Sequence, residues 1–453
     1  MSSRSFRNAS RALPVSAGIR ACKTTQRSRQ GYLRFRAFAL LTAFALVGCS
    51  SVTHSSDNTQ PSNSNAAMET ETTKPIDGPV DARLVSANTA FGFKLFGEVA
   101  KQDAGKNIFI SPASVGLALA MTYNGAVGET KLGMERALEI QGLHHDELNR
   151  AYGQLRQALE STDPKVELNI ANSLWARKGV SFNPDFIQRD KQYYGAEVTA
   201  LDFGDPASPG TINSWVSDKT KGKITHIVDQ IDAQTILFLI NAIYFKGKWS
   251  IEFDKAKTKD DTFTTGAAQQ KRVPMMHQSG RYNYYEGKNF QAVSLPYGAG
   301  RASLYIFLPG ASSNLAEFQR NLTAANWDAW MKQFAETEGS IAVPRFRVEY
   351  EVGLNDALKA LGMGVAFDAN RADFSGIVQG SERAYISRVK HKTFAEVNEE
   401  GTEAAAVTSV EMRTTSARLQ RTFQMVVDRP FFCAIRDNKT GTVLFVGSIT
   451  DPQ

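Results

Sequence analysis

Cysteine is scarce in this sequence, with three residues among 453. Cys22 and Cys49 lie in the N-terminal leader, and Cys433 lies inside the apolar segment Phe431–Ile435. A disulfide framework needs several paired cysteines and a structural zinc site needs four ligands, so both are excluded. Cys433 is instead expected to be a small, buried apolar side chain.

The residues and motifs of common active sites are also scarce. The chain has six histidines, and it lacks a nucleophile elbow, a phosphate-binding glycine loop and a zinc-binding helix. His144 and His145 follow Gly142. Because neighbouring side chains point in different directions, we interpret this pair as part of a solvated loop rather than a metal site. We therefore predict that the protein is not an enzyme and uses no metal and no cofactor.

The leader lacks a hydrophobic run long enough for a membrane span. Its uncharged stretch, Ala37–Gly48, is about 12 residues long, which is too short to cross a bilayer but suits a signal peptide. The stretch follows a basic region and ends at Cys49, an order that resembles the signal of bacterial lipoproteins. We interpret residues 1–48 as a lipoprotein signal peptide and Cys49 as a lipidated N-terminus. An ordinary signal peptide with a chance cysteine is the alternative.

Residues 49–80 are expected to form the lipidated cysteine and a flexible tether, because Ser, Thr, Asn and Pro dominate and large apolar side chains are almost missing. The protein is then exported and held at the bacterial cell envelope, at the outer membrane or cell surface, or it is extracellular. In this interpretation it contacts the membrane through its lipid anchor only.

Excess positive charge is confined to the leader. The formal net charge is +6, but nine basic residues and no acidic residue lie in residues 1–48, which leaves 43 basic against 46 acidic groups elsewhere. The aromatic residues lie in apolar runs rather than among lysines and arginines. We therefore expect no nucleic-acid partner.

Apolar patterning is continuous from residue 81 onward, which indicates a single domain over residues 81–453. Ser111 and Pro112 predict the N-cap and first turn of a buried helix. Three runs rich in apolar, β-branched or aromatic residues predict strands covered on both faces: Thr235–Phe245, Ser303–Leu308 and Val443–Ile449. Helices dominate the first half of the chain and strands the second, so the fold class is α+β.

The segment Glu399–Ser416 alternates between two kinds of residue. At a period of two, one face is small and then apolar, whereas the other face carries charge. The first face holds Thr402, Ala404, Ala406, Thr408, Val410 and Met412. This pattern is typical of a strand whose small side chains can enter between existing strands. A short alanine-rich helix or a flexible linker remains open as an alternative.

This segment resembles the hinge and reactive-centre loop of the serpin family. Further motifs in the same order and spacing carry the resemblance over residues 86–452: Asn107–Ser114, Asn241–Trp249, Val273–Met276, Leu295–Tyr297, Ala372–Ile377 and Asp428–Phe431.

The resemblance implies the serpin fold, in which helices pack around a large metastable β-sheet with further smaller sheets and an exposed reactive-centre loop. It also implies a suicide substrate of serine proteases, whose cleaved loop inserts into the sheet and traps the acylated protease. The hinge must be small and uncharged on its inward face. The residues implied for the hinge are Glu399, Gly401, Thr402, Glu403, Ala404, Ala405 and Ala406.

The resemblance assigns further roles residue by residue. It implies a hydrogen-bonded shutter beneath the sheet, formed by Ser111, Ser114, Asn241 and His391. Trp249 matches the breach tryptophan under the insertion point. Glu399 and Arg345 lie where the family often has a Glu–Lys pair, and the forked guanidinium of arginine is expected to preserve that pair.

The family spacing from Gly401 places the scissile bond at Thr415–Ser416, with Arg413–Thr414 as the alternative. A small bait residue suits an elastase-like protease, whereas Arg413 suits a trypsin-like one. We therefore predict a monomeric inhibitor whose partner is an elastase-like or trypsin-like serine protease, or a cysteine protease. A non-inhibitory serpin that acts as a binding or stabilising protein is the alternative.

Overall fold

The computed structural model describes residues 76, 78–160, 163–232, 235–380, 383–402 and 422–452, and these residues group into one compact unit. Several predicted sites lie outside the described residues: Cys49, Glu403, Ala404, Ala405, Ala406, Arg413, Thr414, Thr415 and Ser416.

Helical residues outnumber strand residues in the first half of the described chain. Helix α1 begins after Asp81, whose carboxylate accepts a hydrogen bond from the Arg83 N–H. Helix α2 begins after Ser111, whose hydroxyl accepts from the Ser114 N–H, and Pro112 occupies its first turn as the sequence predicts. The α-helices are α1 (Ala82–Gln102), α2 (Pro112–Tyr123), α3 (Gly128–Ala137), α4 (His145–Glu160), α5 (Pro184–Arg189), α6 (Ser208–Lys219), α7 (Leu315–Arg320), α8 (Ala324–Met331) and α9 (Asn355–Leu358). Single turns of other helix types occur at Asp190–Tyr194 and Lys359–Met363 (π) and at Lys255–Lys257 and Gly364–Phe367 (3₁₀).

Strands dominate the second half. They are β1 (Ile108–Ile110), β2 (Val166–Arg177), β3 (Glu197–Leu201), β4 (Leu237–Lys248), β5 (Lys259–Thr264), β6 (Gln270–Glu286), β7 (Phe290–Tyr297), β8 (Ala302–Pro309), β9 (Ala335–Pro344), β10 (Phe346–Gly353), β11 (Ile386–Asn398), β12 (Gly401–Thr402), β13 (Phe423–Val426), β14 (Phe431–Asp437) and β15 (Val443–Ile449). The α+β class predicted from the sequence is confirmed.

The strands form two sheets. One sheet, here called the hinge sheet, has the order β10-β11-β12-β4-β2-β3, and the two-residue strand β12 lies at one end between β11 and β4. Where β12 is absent, β11 and β4 pair directly in parallel, from Ile386 opposite Leu237 to Phe394 opposite Tyr244. The second sheet has the order β1-β15-β14-β8-β7-β6-β9-β13, with β5 also paired to β6.

Strand β4 lies in the middle of the hinge sheet and is buried on both faces. Leu239 and Ile243 join the main hydrophobic core, which includes the apolar residues of α2, whereas Phe238 and Ile240 join a smaller core under α6. A strand covered on both sides needs apolar side chains at successive positions, which explains the continuous apolar run in the sequence. Asn241 faces the α2 side and is a buried polar residue within this run.

Two local predictions were wrong in detail. Strand β4 does not end at Phe245, because Lys246 and Gly247 still pair with β2, and Gly247 and Lys248 pair with β12. His145 is not in a solvated loop but begins α4, and its half-buried ring lies 6.2 Å from the ring of Tyr123. Acidic residues in the first turn of α4 favour a helix start at this point.

Cys433 lies in β14 with no exposed surface, and burial raises the pKa of its thiol to about 12. It is therefore the buried, unreactive side chain that the sequence predicts. No helix in the described part of the chain has both the length and the apolar composition needed to cross a membrane.

Candidate functional site

The start of the alternating segment is already part of the hinge sheet. After β11 the chain reverses at Glu399 and Glu400 and returns as β12, which pairs antiparallel with β11 on one side and with β4 on the other. Gly401 lies opposite Asn398 and Lys248, and Thr402 lies opposite Val397 and Gly247. The two predicted hinge residues of β12 thus separate the ends of two strands that pair directly further along.

Two glycines make this close approach possible. Gly401 has a φ of +148°, which side-chain-bearing residues rarely adopt, and a Cβ at this position would collide with the carbonyl oxygen of Gly247. A Cβ on Gly247 would in turn lie 2.8 Å from the ring of Tyr297. Only a residue without a side chain fits at either position, so β12 can enter here without displacing its neighbours.

Thr402 is completely buried, and its hydroxyl lies 2.7 Å from the hydroxyl of Tyr297. Burial raises the pKa of Tyr297, so the phenol stays protonated and can hydrogen-bond with the threonine at neutral pH. The ring of Tyr297 stacks on Trp249 with centroids 4.4 Å apart. The inward face of β12 therefore accepts a small polar side chain but has no space for a longer one.

Trp249 hydrogen-bonds with the turn between β11 and β12 through both its backbone and its side chain. Its backbone N–H donates to the carbonyl oxygen of Glu400 at 3.0 Å, and its indole Nε1–H donates to the carbonyl oxygen of Asn398 at 2.8 Å. The backbone N–H of Phe253 donates to the carbonyl oxygen of Glu399 at 2.8 Å. The predicted breach tryptophan thus hydrogen-bonds with the last residue of β11 and with the second residue of the turn.

Glu399 and Arg345 lie in contact at the same end of the sheet. The Arg345 Nε–H reaches both carboxylate oxygens of Glu399, at 2.7 and 2.8 Å, and the Thr258 hydroxyl donates to Oε1 at 2.5 Å. Burial by itself would raise the pKa of the Glu399 carboxyl, but the hydrogen bonds from Arg345 and Thr258 outweigh it and hold the pKa below its ordinary value. The carboxylate is therefore charged at neutral pH.

Glu400 is a second buried acid in the same turn, and neither the residue pattern nor the family resemblance indicates a role for it. Its Oε1 accepts a hydrogen bond from the Lys255 Nζ, which belongs to the 3₁₀ turn after β4. Lys255 lies 145 residues before Glu400 in the chain. No local spacing could have indicated the pair, and the only available signal was the two adjacent acidic residues at the start of the alternating segment.

The four predicted shutter residues lie together on the α2 side of the hinge sheet. The Asn241 Nδ2 donates to the Ser114 carbonyl oxygen at 3.0 Å, and the Ser111 hydroxyl donates to the Leu444 carbonyl oxygen at 2.6 Å. His391 lies opposite Asn241 in the β11–β4 pairing. Its Nδ1 is 2.7 Å from Asn241 Oδ1, and its Nε2 is 2.9 Å from the Ser111 backbone nitrogen.

This geometry determines the protonation state of His391. The Ser111 N–H can only donate, so Nε2 must accept, and Nδ1 must then carry the proton that it donates to Asn241. A second proton would place two donors against each other. Burial lowers the pKa of His391 to about 3, which is consistent with a neutral imidazole that joins β4, β11 and α2.

The breach and the shutter act at different levels of the same sheet. Asn241 and Lys248 are both in β4, and at about 3.3 Å per residue they lie roughly 23 Å apart. If β4 and β11 separated from the β12 end of the sheet toward Asn241, the hydrogen bonds of the shutter would therefore break only after β12 had been extended by several residues. No cluster of side chains able to hold a metal ion occurs among the described residues.

Comparison with known proteins agrees with this geometry. Residues 86–452 match the family model for "Serpin (serine protease inhibitor)". Human Serpin B8 is 36% identical over 378 residues, which cover 82% of this chain and 99% of that protein. Human leukocyte elastase inhibitor is 34% identical over 382 residues, which cover 82% and 100%.

A solved structure shows the same fold. The thermophilic serpin tengpin, in its native state, superposes with a TM-score of 0.78 at 33% sequence identity, covering 83% of this chain and 96% of that chain. The family model, the relatives and the fold agree, and the chain belongs to the serpin family.

Proposed function

We propose that this protein is a suicide-substrate inhibitor of serine proteases. A target protease cuts the reactive loop near Thr415–Ser416, the loop then inserts into the hinge sheet, and the acylated protease is trapped. The observation that carries this proposal is β12, the two-residue start of the reactive segment held between β4 and β11.

The pairing of the sheet favours continued insertion. Strands β4 and β11 are parallel to each other and antiparallel to β12, so extending β12 replaces one ladder of hydrogen bonds by two. Each new ladder bond contributes about 1 kcal/mol net, and a dozen would contribute on the order of 10 kcal/mol. This gain is comparable to the whole stability of a domain and can drive movement of a bound protease.

The proposed partner is a serine protease with a shallow specificity pocket, because Thr415 is small and β-branched. The relative named leukocyte elastase inhibitor supports an elastase-like target for this chain. Arg413 would admit a trypsin-like protease at the neighbouring bond, and a cysteine protease would form the corresponding thioester. The protein would act as a monomer, since the whole insertion takes place within one chain.

The test is whether a covalent complex forms, and where the loop is cut. Cutting after Thr415 gives the family spacing, and cutting after Arg413 shortens the tether by two residues, roughly 7 Å. Cutting after Arg418 lengthens it by three residues, roughly 10 Å, and the slack lets the acyl-enzyme hydrolyse. We expect an elastase-like enzyme to be trapped at Thr415, and a trypsin-like enzyme to be trapped at Arg413 but to use Arg418 as an ordinary substrate site.

Mass spectrometry of the C-terminal peptide released from denaturant-stable complexes decides this prediction. Peptides beginning at Ser416 or Thr414 support it. A peptide beginning at Leu419 in stable complexes contradicts the length argument. Cleavage without any stable complex, across elastase-like and trypsin-like proteases, would identify the protein as a non-inhibitory serpin.

We further propose that residues 1–48 are a lipoprotein signal peptide and that lipidated Cys49 and the tether to residue 80 anchor a single domain, residues 81–453, at the cell envelope. The Cys49→Ser variant should then leave the membrane fraction, because it lacks the thiol that accepts the lipid. Cys22→Ser is the matched control, since Cys22 lies in the part that is removed. Equal membrane retention of Cys49→Ser and the parent would disprove the anchor.

A further inference from the structure

Strands β11 and β12 form a hairpin whose turn consists of Glu399 and Glu400 alone, because Asn398 pairs with Gly401. Two-residue hairpins favour Asn-Gly, Asp-Gly or Gly-containing turns, since the favoured turn types need positive φ angles. Neither glutamate has a positive φ. This turn therefore has an unfavourable sequence and lacks the favoured geometry, so contacts from other parts of the fold must hold it closed.

Each glutamate is held by a cation from a different element. Glu399 contacts Arg345, which lies between β9 and β10, and this pair is the one that the family resemblance implies. Glu400 contacts Lys255, which lies in the 3₁₀ turn after β4. The second contact is a property of this chain that no motif assigned.

The Glu400 carboxylate depends on Lys255. Glu400 is 5% exposed, and its Oε2 atom is buried without a hydrogen-bond partner among the described residues. Its Oε1 accepts from the Lys255 Nζ. Removing the ammonium would leave the Glu400 carboxylate without a cation, so that its buried position would be less favourable than one exposed to water. The Glu400 side chain would then turn toward water, and the turn would lose its side-chain contact with Lys255.

We propose that Lys255 and Glu400 are positioning residues that keep the β11–β12 hairpin closed, so that the cut loop inserts from a nucleus that is already formed. This inference rests on the proposed suicide-substrate function. Adding a strand between two others is slow at its first step, because forming the first residue pairs lowers the entropy of the chain before the hydrogen bonds of later pairs offset that loss. In the native protein the first pairs of β12 are already formed, so this entropy is lost before the loop is cut.

The consequence concerns the competition between insertion and hydrolysis of the acyl-enzyme. With the hairpin closed, each loop residue that follows Thr402 can join the existing ladder. With the hairpin open, the nucleus has to form again after cleavage, and hydrolysis releases more of the protease first. Loss of Lys255 should therefore lower the trapped fraction without slowing the initial cut.

The experiment compares Lys255→Met with Lys257→Met. Lys257 belongs to the same 3₁₀ turn, is about equally exposed, and forms its ion pair with Asp254 rather than with the hinge. For a protease that the parent traps, we expect Lys255→Met to raise the number of inhibitor molecules consumed per trapped protease about fivefold, the scale of one partly exposed ion pair. Lys257→Met should behave as the parent, and the rate of loop cleavage should be the same in all three.

Two further variants distinguish positioning from a general loss of structure. Lys255→Arg should keep the trapping of the parent, and Lys255→Glu combined with Glu400→Lys should recover most of it. The thermal midpoint of the uncut protein should change little in Lys255→Met. Unchanged trapping in Lys255→Met overturns the inference. A loss of trapping that is accompanied and explained by a lower thermal midpoint overturns it as well.

A readout without trapping separates this inference from the proposed function. The loop is cut with a protease that is then removed, and the rise in thermal midpoint that accompanies insertion is followed with time. Slower insertion of Lys255→Met than of Lys257→Met supports the role of the pair, even if the parent forms no covalent complex. Equal insertion rates for the two variants contradict it.

Discussion

Thr402→Arg should convert the protein from an inhibitor into a substrate. Thr402 is fully buried between β4 and β11, with its hydroxyl against that of Tyr297. An arginine at this position would bury a cation with no acidic partner, which costs several kcal/mol. The hinge would therefore leave the sheet, and insertion after cleavage would become slower than hydrolysis.

The measurement is the yield of denaturant-stable complex with a protease that the parent traps. We expect this yield to fall at least about tenfold, since a factor of ten needs only about 1.4 kcal/mol. Inhibitor with a cut loop should still accumulate, because the protease can still cleave the variant. Thr402→Ser is the matched control, because it keeps a small side chain with a hydroxyl for Tyr297. An arginine variant that trapped protease as well as the serine variant would contradict the insertion mechanism.

Lowering the pH from 7 to 5 should destabilise the native protein through His391 by about 2 kcal/mol. Burial lowers the pKa of His391 from 6.5 to about 3 in the folded state. Between these values the unfolded chain binds a proton that the folded chain does not. The contribution is therefore fully present above pH 6.5 and is lost progressively as the pH falls toward 3.

The measurement is the pH dependence of the unfolding midpoint in the parent and in His391→Gln, which should show a flatter profile below pH 6.5. Burial raises the pKa of Asp190, so Asp190 contributes with the opposite sign, but it does so in both proteins and cancels in the difference. His226→Gln is the control, because His226 is exposed and contacts Asp229. Parallel profiles for the parent and His391→Gln would contradict a lowered pKa of His391 in the folded state.

Much of the fold could be predicted because its signals are local. Ser111 and Pro112 predict the start of α2 from capping chemistry alone, and β4 is recognisable as a strand buried on both faces. The end of β4 could not be predicted in the same way. The residues from Lys246 to Lys248 are not all apolar, and their backbone is in a strand because β2 and β12 lie beside it.

The residues of the site were predicted from motif resemblance, but their contacts depend on the topology. Tyr297 and Thr402 are 105 residues apart, and Lys255 and Glu400 are 145 residues apart. Hydrogen bonds over such distances form only when the order of the strands is established. The resemblance could name the hinge residue Thr402, but not Tyr297, whose hydroxyl contacts that of Thr402.

By itself, the sequence determined the fold class and the family and named candidate residues for the hinge and the shutter, because capping, strand patterning and motif order depend on neighbouring residues. The tertiary structure alone decided that β12 already lies between β4 and β11, that the ring of His391 is buried between Asn241 and Ser111, and that Glu400 contacts Lys255. The physical reason is that strand insertion, proton affinity and ion pairing depend on burial and on groups brought together across the sheet, neither of which is encoded at any single position in the chain.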